Sequence, residues 1–513
     1  MGAGRAPLAL RPRLLMMRRT SNWLPTVSGL FLLLFVVPPL QSSEIVLEGT
    51  ITRADHGTYI VREFLVPEPL ERLEVEYTYT HRGEGTALDI GLFDPVRFRG
   101  WSGSDKTHFF LARDEATPSY LPGDLPAGTW RILLGVPHIR PDQVSRYVIR
   151  IRLIPARSRA MPAPEPPTPW VLKKEPGWYR GDLHTHSGHS DGRCRNGLGE
   201  LIPCPVFRVA QAAVARGLDF LAITDHNTTS HHPEMRRLQA YFAPLLLIPG
   251  RELTTYRGHA NVYGTSAFID FRLGWRGRTI ADLLDDVHRA GGVISINHPT
   301  HPTGEQCMGC GWEDVHATDF RKVDMIEVIN GNRVEGPLSG IPFWEARLNE
   351  GHRITGIGGS DDHRAGSGEH PDHVMGIPTT VVYATELSEP AILAGLKAGH
   401  VFIKTRGPDG PDLFLFAEDA RGRRYMMGDE VPLARAGETV TLRIEVKRGA
   451  GHIVEIITNG SAPPEATRLR VDAPDFVRVL SWRAEPRTWV RLNLRDERGI
   501  AALTNPIYFA LRE

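Results

Sequence analysis

Along residues 44–157, apolar and polar positions alternate in short runs. Glu74-Val-Glu-Tyr-Thr-Tyr79, Leu88-Asp-Ile-Gly-Leu92, Thr129-Trp-Arg-Ile-Leu-Leu134 and Arg146-Tyr-Val-Ile-Arg-Ile-Arg-Leu153 share a period of two, with Gly, Pro and Asp between them. That period puts successive side chains on opposite faces of a strand, so each run predicts a half-buried strand. Their spacing predicts an N-terminal β-sandwich over 44–157. The region holds no cluster of His or Cys, which fits packing or binding better than catalysis.

Residues 158–176 carry Pro162, Pro164, Pro166, Pro167, Pro169 and Pro176 and predict a stiff, extended linker. Over 177–405 the pattern changes. Val206, Val209, Ala210, Ala213 and Val214 make one apolar helical face that ends at Gly217, and Ile280, Leu283, Leu284 and Val287 make another that ends at Gly291-Gly292. Continuous apolar runs lie between: Leu218 to Thr224, Leu245 to Pro249 running on to Glu252, Val293 to Ile296, Met325 to Ile329 and Ile354 to Ile357. Leu387 to His400 predicts a closing helix. Repeated strand–helix units predict a parallel sheet or barrel, the α/β class. Residues 406–513 return to alternation, as in Val440-Thr-Leu-Arg-Ile-Glu-Val446, and predict a C-terminal Ig-like β-domain.

The first 43 residues read as a signal peptide. Arg5, Arg11, Arg13, Arg18 and Arg19 precede an apolar core from Gly29 to Val37, followed by Pro38-Pro39 and small residues. The core is short for a membrane span, so the expectation is an exported protein, periplasmic or extracellular, with no stable span after cleavage. Lys+Arg and Asp+Glu balance at 60 each, which gives no reason to expect nucleic acid as a partner. The chain has four cysteines, Cys194, Cys204, Cys307 and Cys310. In an exported chain they predict disulfides; the competing reading is one structural metal site built from all four thiolates.

The histidines change the picture most. Gly181-Asp-Leu-His-Thr-His-Ser-Gly-His-Ser-Asp-Gly192 places His184 and His186 on one face of a strand end, with Asp191 on the turn behind. Later strands end in His226, in Glu252 with His259 beyond it, in His298, and in Asp361 with His363. Nine ligand-type side chains at strand ends suffice for more than one divalent ion. Several neighbours are expected to do less. His231-His232 is expected to be a solvated turn, Asp362 a neighbour rather than a ligand, and His301 a lesser alternative to His298. Asn227-Thr-Thr229 matches a glycosylation acceptor.

The series HTH, SDG, TDHN, GRE, H, NHP and GSDDH resembles the PHP (polymerase and histidinol phosphatase) superfamily, strongly over about 180–405. The signal, the flanking β-regions and the terminal TNPIY resemble its carbaryl-hydrolase-like branch. The resemblance implies a distorted (β/α)7 TIM-like barrel with two or three divalent ions, Zn, Mn or Fe. It implies that His184, His186, Glu252 and Asp361 hold one metal, that Glu252, His259 and His298 hold a second, and that Asp191, His226 and His363 hold a third. Glu252, His226 and Asp361 are the expected catalytic residues, and Arg251, Arg364 and Lys404 the expected substrate clamps. Insertions around Cys194–Cys204 and His301–Trp312 depart from the family pattern near the site mouth. The implied reaction is hydrolysis of a small phosphoester by a metal-bound hydroxide. The alternatives are hydrolysis of a carboxylic or carbamate ester on the same site, or an inactive surface-binding protein.

Overall fold

In the computed structural model the described residues are 43–155, 170–305, 307–461 and 467–512. The expected signal peptide lies outside them except for its last residue, and so does most of the Pro-rich linker.

The alternating runs of the N-terminal region pair into two four-stranded antiparallel sheets. One has the order Ser43–Thr52, Val144–Pro155, Leu70–Tyr79, His108–Ala112, and the other Tyr59–Val66, Gly128–Ile139, Thr86–Phe93, Phe98–Gly103. Every second residue turns inward, so Leu73, Val75 and Tyr77 meet Leu88, Ile90, Trp130 and Ile132 in one shared core.

The central region is built on a long mixed sheet. Gly177–Asp182, Phe220–Ile223 and Leu246–Thr255 run parallel. Gly258–Tyr263 turns back antiparallel between Leu246–Thr255 and Val293–Ile296, and Met325–Asn330 and Thr355–Gly359 continue in parallel. On the other side of Gly177–Asp182 lie Thr379–Ala384 and Val401–Lys404, both antiparallel. A closed (β/α)7 ladder is therefore not what this backbone forms. Instead the edge strand Thr355–Gly359 meets Thr379–Ala384 through the Thr380 hydroxyl, which bonds both Gly358 N (2.9 Å) and Gly358 O (2.7 Å). Past the strand ends, Asp361 N donates to His184 O and His186 N to Asp362 O, drawing the first and last ligand-bearing segments together.

Five α-helices occur among the described residues, fewer than repeated strand–helix units predict. Ile280–Arg289 shows why its sequence is helical: Thr279 and Asp282 cap it reciprocally, and Ile280, Leu283, Leu284 and Val287 are buried at helical spacing. Gly291, at φ +74°, supplies the left-handed residue that ends it. Val206–Ala215 buries Val206, Val209, Ala210 and Ala213, but Val214 faces solvent. The predicted closing helix is shorter than expected, Glu389–Lys397. No described helix is long and apolar enough to cross a membrane.

The C-terminal strands also form two layers. Asp412–Glu418, Glu438–Lys447 and Asp475–Ala484 make one sheet with Arg424–Met426. The facing strands, Ile453–Thr458, Thr488–Asp496 and Gly499–Thr504, belong to the central sheet itself, because Phe402 pairs with Thr504 and Lys404 with Ala502. Cores are shared as well: one cluster contains Tyr59 and Trp101, Leu284 and Ile296, and Trp489 and Leu503. Residues from all three regions thus fix the position of the central strand ends.

Candidate metal centre

The nine ligand-type side chains converge at the C-terminal ends of the central strands. Glu252 lies at the middle. Its Oε2 faces His184 Nε2 at 3.4 Å, His186 Nε2 at 3.6 Å and His226 Nδ1 at 2.9 Å, and its Oε1 faces His259 Nδ1 and His298 Nε2, each at 3.4 Å. Asp361 Oδ1 is 3.3 Å from His184 Nε2 and 3.1 Å from His186 Nε2. Asp191 Oδ1 is 3.5 Å from His226 Nε2 and 3.3 Å from His363 Nε2.

These spacings test whether the set fits metal ions. N–H···O hydrogen bonds cluster at about 2.9–3.0 Å. Two ligand atoms bound tetrahedrally at about 2.1 Å stand roughly 3.4 Å apart. Most of the contacts on Glu252 Oε1 and Asp191 Oδ1, and those of His184 Nε2, match the second figure. His184 Nε2 and Asp191 Oδ1 are moreover buried without a hydrogen-bond partner. Ligand atoms of His186, Asp191, His226 and His363 lie within 4.8 Å of one another, as do those of His184, His186 and Asp361, and those of His184, Glu252 and His298. The donor set fits divalent cations.

Three of the rings are anchored on their far side. His184 Nδ1 lies 3.0 Å from Glu327 Oε1, His298 Nδ1 2.8 Å from Cys310 O, and His363 Nδ1 2.8 Å from Asp361 O. An Nδ1–H donated to oxygen leaves the Nε2 lone pair facing the carboxylates, the orientation a metal ligand needs. Asn297 Nδ2 donates to Glu252 Oε1 (2.8 Å), and Asn330 Nδ2 to Glu327 and Asp361. Asn227, His298 and Asp361 all have positive φ, at 51°, 27° and 56°. Non-glycine residues held in that region mark backbone strain, here at three strand ends of one site.

Charge follows from this packing. Burial alone would raise the carboxyls of Asp191, Glu252 and Asp361, but the imidazoles around them outweigh it and hold all three well below the usual range. Burial, with His363 and His226 nearby, pushes the His186 ring down to about 4. Burial also works against the charged form of His226 and His363. Asp191 reverses it for both, with Glu252 beside His226 and Asp361 beside His363, carrying them up to about 9 and about 10.

The other expectations meet mixed outcomes. Arg364 lines a cavity of about 280 Å³ together with Asp191, Asp361 and His363. Lys404 is no clamp: it is fully buried and bonded to Asp412 Oδ1 at 2.9 Å and to Pro408 O. Arg251 is no clamp either, because it alternates with Glu252 on the same strand and faces away from the site. His231 and His232 are not a solvated turn. Both are buried, and their rings bond Gly250 O, with His231 also on Ile223 O. Asp362 is a neighbour, accepting from Arg364 N, Gly366 N and Met375 N. The Asn227 amide is buried and locked to Thr254 by two 2.9 Å bonds. The cysteines pair within their own loops, Cys194 with Cys204 and Cys307 with Cys310, so no shared four-thiolate site forms.

Four residues outside the nine also contribute. Glu327 orients His184 and receives His298 N at 3.0 Å. Its signal was a lone carboxylate inside the apolar run Met325-Ile-Glu-Val-Ile329. Asp225 accepts from Ser187 and Ser190 and so pins the turn that carries Asp191. Asp89 and Trp101, from the N-terminal sandwich, help wall a cavity of about 390 Å³ over Asp191, His226 and His259. No local pattern could have placed them there.

No known family's sequence profile matches the chain, and no curated protein matches it. Among solved structures it is similar to a two-domain protein from Bacteroides vulgatus containing a predicted PHP-like metal-dependent phosphoesterase. That likeness has 18% identity and a TM-score of 0.36, over 67% of this chain and 100% of that one. It is also similar to PsfC from Pseudomonas syringae, at 19% identity and a TM-score of 0.29, over 40% of this chain and 82% of that one. At such scores the likenesses carry nothing about chemistry, which rests on the side chains alone.

Proposed function

We propose that the chain is a metal-dependent hydrolase of small ester substrates. The observation that carries this is the set of contacts near 3.4 Å between imidazole nitrogens and the oxygens of Glu252, Asp191 and Asp361. In this reading His184, His186, Glu252 and Asp361 hold one ion, Glu252, His259 and His298 a second, and Asp191, His226 and His363 a third. Divalent cations held there would supply the Lewis acidity that makes water nucleophilic near neutral pH and draws charge from the ester oxygen.

Burial divides the roles. Side chains of His184, His186, Glu252, His259 and His298 are 5% exposed or less and fix the geometry. Asp191, His226 and His363 are 46%, 26% and 29% exposed and form the edge a substrate meets. Arg364 beside Asp361 would hold an anionic group there, which supports phosphoesters as substrates. A second reading, a carboxylic or carbamate ester, draws support from the larger of the two cavities, whose described lining residues include Asp89 and Asp105 but no Lys or Arg. Export, as the N-terminal pattern suggests, agrees with two disulfides, which persist in oxidising compartments.

The test is a side-by-side assay of metal-loaded protein on nitrophenyl phosphate, bis-nitrophenyl phosphate and a naphthyl carbamate. Turnover of any one, abolished by chelator and restored by Zn, Mn or Fe, supports the hydrolase and chooses its ester class. Metal-loaded protein inert on all three would favour an inactive binding protein.

A further inference from the structure

Arg251 is the residue the proposed reaction leaves unused. Its side chain is buried, 3% exposed. Nη2 donates to Ala267 O at 2.5 Å, Nε is buried with no hydrogen-bond partner, and no carboxylate among the described residues pairs with it. A guanidinium stays protonated at neutral pH. A buried guanidinium without a counter-charge is strongly unfavourable.

The space in front of it is built for a counter-charge. A cavity of about 170 Å³ lies where the N-terminal sandwich meets the central region, lined by Arg97, Phe98, Asn227, Thr228, Arg251 and Ser266, among others. No Asp or Glu is among the described residues that line it. Behind the lining, Arg236 Nη2 donates to the Ser266 hydroxyl at 2.9 Å. Asn227, fixed to Thr254, also lines the metal cleft and so separates the two spaces. The volume equals about six liquid waters, enough for one small oxyanion.

We infer that this cavity is an anion site, in which Arg251, with Arg97 at the rim, holds one small oxyanion such as sulfate, phosphate or a short carboxylate. The anion would neutralise Arg251 and tie the sandwich to the central sheet. The site is independent of the metal reading, because Arg251 and Glu252 face opposite sides of their strand.

The experiment is thermal unfolding of the full-length, metal-loaded protein in a weakly binding buffer, titrated with sulfate, phosphate and acetate against chloride at matched ionic strength. The wild type is expected to gain about 2 °C or more, saturably, from at least one oxyanion beyond the chloride control. Arg251→Met should lose that gain while keeping its metal content, which separates this site from phosphate bound at the metals. If Arg251→Met does not fold, Arg97→Gln at the rim should raise the half-saturating concentration about fivefold or more. No saturable gain in the wild type, an equal gain in Arg251→Met, or an unchanged midpoint in Arg97→Gln where that variant stands in, would overturn the inference.

Discussion

Asn505 and Gly356 are joined by a reciprocal pair of buried hydrogen bonds: Gly356 N donates to Asn505 Oδ1 and Asn505 Nδ2 to Gly356 O, both at 2.8 Å. Gly356 lies on the strand that leads to Asp361, so the C-terminal region grips a ligand-bearing strand directly. Gly356 cannot exchange for a larger residue, since a Cβ there would stand 2.9 Å from the Trp344 ring. Asn505→Ala would leave two buried backbone groups unpaired, at about 1–3 kcal/mol each. We expect a loss of about 2–4 kcal/mol in denaturant unfolding, with metal affinity lowered as well. Stability within 0.5 kcal/mol (roughly the noise for surface changes) would show that the grip is incidental.

Glu327 should act on the metals without being a ligand. It contacts His184 Nδ1 and His298 N, and groups that orient ligands in this way typically govern metal affinity by about 10–100-fold. Glu327→Gln keeps the volume and is expected to weaken metal binding by that factor while the protein stays folded. His184→Ala or Asp361→Ala should remove metal and turnover outright. Elemental analysis after dialysis against graded chelator measures both, and full metal content in Asp361→Ala would end the assignment of the first ion.

Asp89, which is not among the proposed ligands, provides a pH test. Burial raises its carboxyl from the ordinary 3.8 to about 7, with His226 pulling the other way. The folded state therefore holds this proton more tightly than the unfolded chain. Its favourable contribution is full below about pH 4 and is lost as pH rises through about 7. The stability of the wild type minus that of Asp89→Asn should fall steadily across that window. Parallel curves for the two proteins would show that Asp89 is solvated.

Much of the site was legible because its chemistry sits on strands, whose ends repeat His, Asp or Glu. The Val293–Ile296 strand falls where the apolar run predicts it. Arg251 was misplaced although its signal was present, since neighbours on a strand face opposite sides and Glu252 already claims the inner one. The antiparallel Gly258–Tyr263 strand was not legible as such, because periodicity gives no strand direction. The pairing of Phe402 with Thr504 was hidden for a different reason: alternation on each strand fits many partners equally well. Buried His231 and His232 read as polar in sequence, and only their bonds to Gly250 O make burial tolerable.

The loop closed by Cys307–Cys310 should tune the metal centre. Cys310 O receives His298 Nδ1 at 2.8 Å, and Met308 O lies 3.2 Å from His259 Nε2. Both carbonyls sit inside one disulfide-closed turn, so the bridge holds the acceptors that orient two imidazoles. The paired change Cys307→Ser with Cys310→Ser frees the turn without touching a ligand atom. Metal affinity is expected to fall about tenfold, the scale of losing an orienting partner. The corresponding pair at Cys194 and Cys204 should act less on His259 and His298, because Cys204 N and O bond Gly192 O and Gly188 N near Asp191 instead. Competition with a metal indicator separates the two pairs, and an affinity unchanged from the unsubstituted protein in the Cys307/Cys310 variant would show that its bridge orients no ligand.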